Sequence, residues 1–463
     1  MKSQFLFILC LSLISCLGKK ASYKPLIEKQ DFGSSYVITN VDVFNGMDSV
    51  LFLDQSVFIK DGMIVSISDR PDIPKGIDII DGSGRYLSPG FIDTHVHIMA
   101  SGSAPWEMVR PNIEHNLEAW LAAGVTTVYD LGGIASQSKK YKGRVEKGEI
   151  PGPNIYYTGS PITAKDGHPI AASKALLPFP LSLFVGFIIE TADEKTDVSE
   201  LISDYQDDEV DYIKIINDQL PEGIPQIENS VMKAIIDESH ENGLKTFVHI
   251  GNANDMISAI EAGTDVLAHF PYRGKLSNEI AARAKESGIK IIHTLTGFEN
   301  TYQISNGSYQ PSPMDAKMQP GELLNPVMGN KGLELNETEI MDQFSETLIE
   351  NRDNWKNTFH LLQTHHISFA IGTDSPLPGS YAGSGFHEEM KTLKKMGYSD
   401  FEILRAATSE GAKLFLDNPN FGLIQKGNKA DLLILNKNPL ESIAHSSDID
   451  LVVKNGVIYK PTY

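Results

Sequence analysis

The chain has 463 residues, of which 41% are hydrophobic and 22% are charged, and its formal net charge is −20. This composition is ordinary for a globular protein, and the length leaves room for a domain of roughly 250 residues plus a smaller one. The negative charge and the lack of a basic run exclude nucleic acid as an expected partner, because phosphates require patches of Lys and Arg.

The N-terminus has the pattern of an export signal. An apolar stretch at 5–14 is too short to cross a bilayer as a helix, and it ends in the residues Leu-Ile-Ser-Cys. Residues 1–16 are therefore predicted to be a lipoprotein signal peptide, with a lipid on Cys16 that anchors the exported protein to the cell envelope. Lipoproteins of enteric bacteria are retained in the inner membrane when an aspartate follows the lipidated cysteine. Residue 17 is a leucine, which favours the outer membrane. An ordinary secretory leader is the alternative. Because Cys10 lies in the leader, the processed chain would have no free thiol and no disulfide.

Two β-rich ends flank an alternating middle segment. After an expected polar tether at 17–32, short strands punctuated by Gly, Asp and Asn fill residues 33–86, and similar runs fill 412–463. We expect antiparallel pairing there, with an Asn-Gly hairpin at 455–456. Residues 87–411 alternate between strand-like and helix-like stretches, which is typical of βα units around a parallel sheet.

Eight strand-like runs lie in the middle segment: GFIDTHVHI, TTVYDLG, NIYYTGS, DYIKIIN, LKTFVHI, DVLAHF, KIIHTLT and ISFAIGTDS. Several of the helical stretches between them end in glycine, where a left-handed C-cap is expected. The pattern therefore predicts an α/β fold with eight parallel strands.

Six side chains with metal-binding or catalytic chemistry lie toward the C-terminal ends of these runs: His95, His97, Lys214, His249, His269 and Asp374. The first two are two residues apart on a strand, so both imidazoles point to the same side. Each histidine alone would be a packing residue. Together they are informative, because (β/α)8 barrels build their active sites from the C-terminal ends of their strands.

The order HxH, Lys, His, His, Asp resembles the amidohydrolase superfamily, and most of all its imidazolonepropionase-like and prolidase-like branch. YLSPGFIDTHVH resembles the family's entry into the first barrel strand, and ATSEGAKLF with FGLIQKGNKADLLILNKNPL resembles its exit from the last helix. The resemblance covers most of residues 33–460. It implies a (β/α)8 TIM-type barrel at 87–411 and a small β-sandwich domain formed by both chain ends, at 33–86 and 412–463.

The resemblance also implies a site for two divalent metal ions. His95, His97 and Asp374 would hold the first ion and the remaining two histidines the second, with a carbamate on Lys214 bridging them. Zinc is the expected metal, and imidazole and carboxylate ligands also suit manganese or iron. Burial beside dications would lower the pKa of Lys214 and free its amine for CO2. Two alternatives remain open: Lys214 pairs with Asp218, or one ion is used.

Hydrolysis is the reaction that this resemblance implies. A metal-bridging hydroxide would attack the carbonyl carbon of an amide, and Asp374, the catalytic residue, would carry its proton to the leaving nitrogen. Substrate contacts are expected from the βα loops. His168 lies in a Gly-His loop, Tyr272 could donate to an oxyanion, and Arg273 could grip a substrate carboxylate with two hydrogen bonds. A packing or surface role is the alternative for each, and His293 is left undecided.

The segment after Lys214, IINDQLPEG, and the apolar run 175–189 depart from the pattern of the family. The apolar run 175–189 is too short for a membrane span and is expected to form a hydrophobic lid or lining, which implies an apolar group on the substrate. The insertion 298–335, rich in Gly, Pro, Asn and Met, is expected to be a loop that covers the mouth of the site.

The leading hypothesis is a metal-dependent hydrolase of an amide or peptide bond in a small molecule, with dipeptides or N-acyl amino acids as the expected substrates. Hydrolysis of a cyclic amide or lactam is the second reading. A third is a non-catalytic, ligand-binding surface lipoprotein, which the six filled positions disfavour. Assembly into a homo-oligomer is left open.

Overall fold

A computed structural model of the chain describes residues 18–104, 107, 109–176, 185–186, 188–328, 339–414, 416 and 418–463. The leader with Cys16 lies outside the described residues, and so does most of the apolar run 175–189. In the part of the chain that is described, none of the helices has the length and apolar character needed to cross a bilayer.

Strands and helices alternate along the described chain. The strands are β1 (Ile27–Lys29), β2 (Ser35–Val43), β3 (Phe52–Lys60), β4 (Met63–Ser68), β5 (Asp78–Asp81), β6 (Tyr86–Pro89), β7 (Phe91–Val96), β8 (Val125–Asp130), β9 (Asn154–Tyr157), β10 (Ile162–Thr163), β11 (Glu190–Thr191), β12 (Tyr212–Asn217), β13 (Lys245–Ile250), β14 (Val266–Ala268), β15 (Lys290–His293), β16 (Ser368–Ile371), β17 (Leu432–Leu435), β18 (Ile449–Lys454) and β19 (Val457–Pro461). The helices are α1 (Ile113–Ala122), α2 (Ala135–Glu146), α3 (Ile170–Leu176), α4 (Val198–Asp207), α5 (Asn229–Glu241), α6 (Ala253–Ala262), α7 (Asn278–Ser287), α8 (Leu295–Ser305), α9 (Pro313–Met318), α10 (Gly321–Leu324), α11 (Glu339–Thr364), α12 (Ser384–Lys395), α13 (Asp400–Ala406) and α14 (Ser409–Lys413), with 3-10 turns at Asn325–Val327 and Ile443–Ser447.

Both chain ends contribute to a nine-stranded sheet. Its order is β1-β19-β18-β17-β6-β2-β3-β4, with β5 beside β2, so the C-terminal strands lie between N-terminal ones. β1 falls inside the segment 17–32 that the sequence predicted to be a tether, and it pairs antiparallel with β19. The hydrogen bonds join all nine strands in one sheet, and the two packed layers of a sandwich stay a prediction.

The pairing in this sheet is mixed. The hairpin between β18 and β19 is confirmed: Asn455 and Gly456 have φ values of 48° and 78°, as the expected turn requires. The prediction of antiparallel pairing is wrong for two contacts, because β5 and β6 both run parallel to β2. A parallel neighbour needs a longer connection than a hairpin, and the loop between β4 and β5 provides it.

All eight strand-like runs of the middle segment form strands, and every pair among them is parallel. They fall into a three-stranded sheet, β7-β8-β9, and a seven-stranded sheet, β11-β10-β12-β13-β14-β15-β16. A parallel bridge between Val96 and Ser375 places the end of β7 beside the end of β16. The pairings of the described residues do not join β9 to β10. Closure of the strands into a barrel is therefore not shown by hydrogen bonds alone.

Two of the helices, α6 and α7, begin and end at the capping residues that the sequence predicts. In α6, Asn252 accepts hydrogen bonds from the first turn in a capping box with Asp255, and Gly263 ends the helix with φ of 92°. At the start of α7 the side chain of Ser277 accepts a hydrogen bond from the N–H of Ile280, and Gly288 ends the helix in the left-handed conformation. Side-chain oxygens satisfy free N–H groups at the start, and glycine adopts a positive φ without steric strain. These local signals set the spacing of the parallel strands.

The expected mouth-covering loop at 298–335 is largely helical. α8 starts just before it, α9 begins with a capping box at Ser312, and α10 follows. Residues 329–338 lie outside the described part. One face of α8 lies toward the C-terminal ends of the parallel strands, where the site is found.

Candidate metal centre

The first group of expected ligands is brought together by the bridge between the ends of β7 and β16. The backbone N–H groups of His97 and Asp374 donate across this junction to the carbonyls of Ser375 and His95. The Oδ1 atom of Asp374 lies 3.2 Å from His95 Nε2 and 2.9 Å from His97 Nε2. One ligand atom from each residue lies within 4.8 Å of the others, which is compatible with a single metal ion.

The second group faces the first. His249 Nδ1 lies 3.1 Å from His269 Nε2, and the ring of His269 is 4.8 Å from that of His95. The outer nitrogen of each ring is held: His249 Nε2 lies 3.1 Å from Asp218 Oδ2, and His269 Nδ1 lies 2.6 Å from Thr294 Oγ1. Such outer partners fix the orientation of an imidazole and leave its inner nitrogen directed at the metal.

Lys214 lies on β12 and is buried, and its charge acts on His95 and Asp374 of the first group and on His269 of the second. Among the described residues its Nζ atom has no hydrogen-bond partner, and the same holds for His95 Nδ1. Burial lowers the pKa of Lys214 to about 7, against the attraction of Asp374. The open alternative, a pair with Asp218, is not what the structure shows, because Asp218 is bound by other residues.

The carboxylate of Asp374 is kept ionised by its neighbours. Burial alone would raise its pKa, but the hydrogen bond and charge of His97 hold the pKa below its usual range. Burial lowers the pKa of His95 and of His269 well below that of a free imidazole, with the charge of Lys214 contributing at His95 and that of His249 at His269. His95 and His269 are therefore favoured in the neutral form beside an anionic carboxylate. At His97 burial would lower the pKa, but the hydrogen bond and charge of Asp374 raise it above that of a free imidazole.

Two of these residues have unusual backbone conformations. The φ values of His269 and Asp374 are 72° and 56°, in the left-handed region that residues with a side chain seldom adopt. Strain of this kind is concentrated at functional sites.

Asp218 connects three side chains behind the second group. It accepts hydrogen bonds from Tyr272 Oη at 2.6 Å and from the guanidinium of Arg273, and it also holds His249. Burial would raise its pKa, but the bond to His249 and the charges of His249 and Arg273 hold it below its usual range. Gly251 makes this packing possible, because a Cβ atom there would lie 2.1 Å from Asp218 Oδ1.

The residues expected to contact a substrate lie in different places. His168 lines the cavity beside the centre, its ring is 5.2 Å from that of His249, and its Nδ1 lies 3.0 Å from the carbonyl oxygen of Leu220. Burial, and then the charge of His249, lower the pKa of His168 to about 4. Tyr272 lines the same cavity with its ring, while Arg273 is turned toward Asp218. The hydroxyl of Tyr272 and the guanidinium of Arg273 are both bound to Asp218, so the structure does not hold them ready for the expected oxyanion and carboxylate contacts. The substrate contact of His168 remains a prediction.

The histidine left undecided, His293, is buried away from the centre. Its Nε2 lies 3.2 Å from Tyr398 Oη, and its ring packs between Phe359 and Phe369. It is a packing residue. Burial lowers its pKa to about 3.

Two buried carboxylates with positioning roles were missed in the sequence. Asp93 accepts hydrogen bonds from the backbone N–H and the hydroxyl of Thr373, at 3.0 and 2.7 Å. These bonds connect β7, which carries His95, to the residue before Asp374. Glu389 accepts from the first N–H groups of α8, and its pKa is raised to about 7 by burial. Asp93 is part of the motif GFIDTHVHI, so its position could have been noticed. The sequence around Glu389 has no pattern that indicates its role.

A cavity of about 360 Å³ opens from the centre. His249, His269 and Asp374 form its floor, and α8 and the loop after β12 contribute its walls. A small molecule in this cavity would contact both groups of candidate ligands.

Comparison with known proteins agrees with this architecture. The model of the amidohydrolase family matches residues 86–459. An adenine deaminase from Bacillus licheniformis is 32% identical over 178 residues, which are 35% of this chain and 28% of that protein. The alignment thus spans well under half of the length of this curated relative.

Solved structures resemble the chain over most of its length. A prolidase complexed with N-methylphosphonate-L-proline superposes with a TM-score of 0.72 at 20% identity and covers 92% of this chain and 100% of its own. A Xaa-Pro dipeptidase with bound methionine has a TM-score of 0.69, 20% identity and the same coverage. At this identity the likeness concerns the fold, and it implies a TIM-barrel domain of α/β type. With the family model matching residues 86–459, the chain belongs to the amidohydrolase family.

Proposed function

We propose that this protein is a metal-dependent hydrolase that cleaves the C–N bond of an amide or peptide in a small molecule. The observation that carries the proposal is the convergence of two ligand groups near the buried Lys214, with His249, His269 and Asp374 lining one cavity. Membership of the amidohydrolase family supports the same reaction class.

The residues present fit two divalent cations. Imidazole nitrogens and a carboxylate suit zinc, and also manganese or iron. Within the described part of the chain, His95 Nδ1 and Lys214 Nζ are buried without hydrogen-bond partners, which is costly unless another group binds them. In the proposed arrangement His95, His97 and Asp374 would hold one cation and His249 and His269 the other, and Lys214 would supply an anionic ligand between them as a carbamate.

When bound, two such cations would supply a hydroxide nucleophile near neutral pH and polarise the carbonyl group. The chain's own residues would position the groups and move the proton. Asp374 lines the cavity and contacts both histidines of the first group. It is therefore placed to take the proton of the attacking water and to release it to the leaving nitrogen.

The neighbouring residues would orient the reacting groups. Asp218 and Thr294 hold His249 and His269, so the inner nitrogens stay directed at the centre. His168 is held through Nδ1 by the carbonyl of Leu220, which leaves its other nitrogen for a substrate contact. The ring of Tyr272, stacked on Phe298 at 4.4 Å, would contact the substrate by its face.

We also propose the location and domain division that the sequence predicted. The leader, residues 1–16, would direct export and leave a lipid on Cys16 at the membrane. The segments 33–86 and 412–463 would form a domain beside the barrel at 87–411. A labelled fatty acid should be incorporated into the protein and not into a Cys16→Ala variant, whereas equal labelling of both, or of neither, would contradict the lipid anchor.

A library of dipeptides, N-acyl amino acids and simple amides would test the reaction. The protein should lose hydrolysis after exhaustive chelation and regain it with Zn²⁺ or Mn²⁺. Asp374→Asn should abolish turnover, because its amide cannot carry the proton. Asp237→Asn, which removes an exposed partner of Lys233 on α5, should leave turnover unchanged. Full activity of the chelated protein would overturn the proposal.

A further inference from the structure

The walls of the cavity beside the centre are mostly apolar. Beyond the floor they are formed largely by Leu220, Tyr272, Phe298, Ile304, Phe344 and Leu377. The polar groups between them are serine and threonine hydroxyls and His168. Among the described residues that line the cavity there is neither a lysine nor an arginine, and Asp374 is the acidic one.

The arginine nearest to this wall is committed to other partners. Arg273 donates to Asp218 and, at 2.9 Å, to the carbonyl oxygen of Gln219. Asp255 lies 3.6 Å from the same guanidinium and Glu222 lies 3.9 Å from it. Turning Arg273 into the cavity would leave Asp218 buried without its cation, which is strongly unfavourable.

Other cations lie on the opposite face of α8. Arg352, Lys356 and Lys395 line a separate, polar cavity, and Arg352 donates to Glu299 of α8 at 2.7 and 2.9 Å. Phe298 and Ile304, from the same helix, line the cavity beside the centre instead. The helix therefore separates a charged face from an apolar one.

A substrate carboxylate in this cavity would lose its hydration without gaining a cationic partner from the wall. A charge transferred to an apolar environment without a partner is strongly disfavoured, whereas an alkyl or aryl group gains from leaving water. The wall thus discriminates between substrates by their charge.

We propose that the cavity takes an uncharged, apolar alkyl or aryl group of an amide substrate and discriminates against substrates with a free carboxylate next to the scissile bond. This inference rests on the proposed function, and it makes dipeptides and N-acyl amino acids poor substrates. Neutral N-alkyl or N-aryl amides of apolar acids are the class that fits.

A matched pair of compounds tests this directly. N-hexanoyl-isoamylamine and N-hexanoyl-L-leucine differ only by the carboxylate. On the protein reconstituted with Zn²⁺, the neutral amide should bind about tenfold more tightly or better by calorimetry, and any hydrolysis should follow the same preference. Equal or tighter binding of the acid, or no binding of the neutral amide up to its solubility limit, would overturn the inference.

The binding measurement tests the proposed substrate class, and the turnover measurement tests the proposed reaction. Binding preference decides the substrate class, and metal-dependent turnover of any amide decides the reaction. A neutral amide that binds preferentially but is never hydrolysed would count against the hydrolase and still support the inference. Hydrolysis of the acid with the higher kcat/KM would support the hydrolase and overturn the inference.

A charge introduced into the wall provides the second test. Thr301 lines the cavity on α8, and among the described residues its hydroxyl donates a hydrogen bond within the helix, to the carbonyl of Gly297 at 2.8 Å. Thr301→Arg should shift the binding ratio toward N-hexanoyl-L-leucine by about tenfold, because it supplies the missing cation. Thr301→Met, with a long uncharged side chain, should produce no shift toward the acid. An equal shift with both variants would contradict the role of charge.

Discussion

The Nε2 atom of His249 lies 3.1 Å from a carboxylate oxygen of Asp218, while the Nδ1 atom of the same ring faces His269. The carboxylate therefore determines which nitrogen carries the proton and which presents a lone pair to the centre. Tyr272 and Arg273 in turn hold the carboxylate. The orientation of one candidate ligand thus depends on a chain of contacts behind it.

Asp218→Asn should weaken metal binding. The amide can still accept a hydrogen bond, but it stabilises the required proton position less well, and a loss of about 10- to 100-fold in Zn²⁺ affinity is expected. Asp237→Asn is the control, since Asp237 pairs with Lys233 on α5 and both side chains are more than half exposed. Zn²⁺ titration of both variants against a chelating dye would check this. Unchanged affinity in Asp218→Asn would show that the contact is not needed.

Lys214→Ala should lose one of the two proposed cations together with turnover, because the bridging group disappears. Added formate or propionate should restore part of the activity by taking its place. With 13C-labelled CO2, the wild-type protein should show a carbamate signal that the variant lacks. Lys454→Met removes another buried lysine, one that is hydrogen-bonded to Asn154 at 2.8 Å, and should keep the signal. Normal metal content in the Lys214→Ala variant would contradict the proposed carbamate bridge.

Glu389→Gln should destabilise the start of α8, the helix that forms part of the cavity wall. The two oxygens of Glu389 accept from the N–H groups of Leu295 and Thr296 at 2.9 and 2.6 Å, and Thr294, the cap residue of α8, makes no side-chain cap of its own. A glutamine would place an N–H group against one of these donors, so the free energy of unfolding should fall by about 1–3 kcal/mol.

Because α8 carries Phe298 into the cavity, KM for an apolar amide should also rise in this variant. Glu388→Gln makes the same chemical change one residue earlier, where the carboxylate is paired with Lys391, and should cost less than about 1 kcal/mol. Urea denaturation and steady-state kinetics of the two variants give the comparison. Equal destabilisation would contradict the capping role.

His293→Phe should make the protein less sensitive to acid. The pKa of His293 is lowered to about 3 by burial, whereas an unfolded histidine titrates near 6.5. Between these values the unfolded state binds the additional proton, so stability falls as the pH is lowered. From pH 7 to pH 5 this group should account for a loss of about 2 kcal/mol. Urea denaturation at both pH values should show a smaller difference in the variant. An identical difference would mean that His293 does not contribute.

The positions of the candidate ligands could be predicted because they depend on local signals. His95 and His97 share a strand face, and the ends of parallel strands meet at one edge. The order of the strands then brought Asp374 back to the first strand, as the bridge between Val96 and Ser375 shows. Periodicity and capping residues were sufficient for this part of the fold.

The partners of Asp218 could not be predicted. Its contacts with His249, Tyr272 and Arg273 join residues on three neighbouring strand ends, and the choice among nearby carboxylates depends on packing that has no local signature. The pair of Asp218 with Lys214, which the sequence left open as the alternative to a bridging carbamate, is not what the structure shows. Asp218 is close to Lys214 in the sequence, but in the fold its carboxylate faces residues at the ends of the next two strands.

The helix α8 was predicted to be a loop for a similar reason. Its sequence is rich in polar and β-branched residues, and its first turn is capped from a distant helix by Glu389 rather than by a neighbouring side chain. The strands β10 and β11, with two residues each, are too short to show a periodicity.

The left-handed conformations of His269 and Asp374 make folding and metal supply interdependent. Each is expected to cost about 1–3 kcal/mol in the empty protein, and bound cations would offset that cost by stabilising only the folded state. A cell short of the metal would therefore hold a population that opens more often around these two strand ends and is more easily cleared by proteases. Metal availability would set the abundance of the protein as well as its turnover.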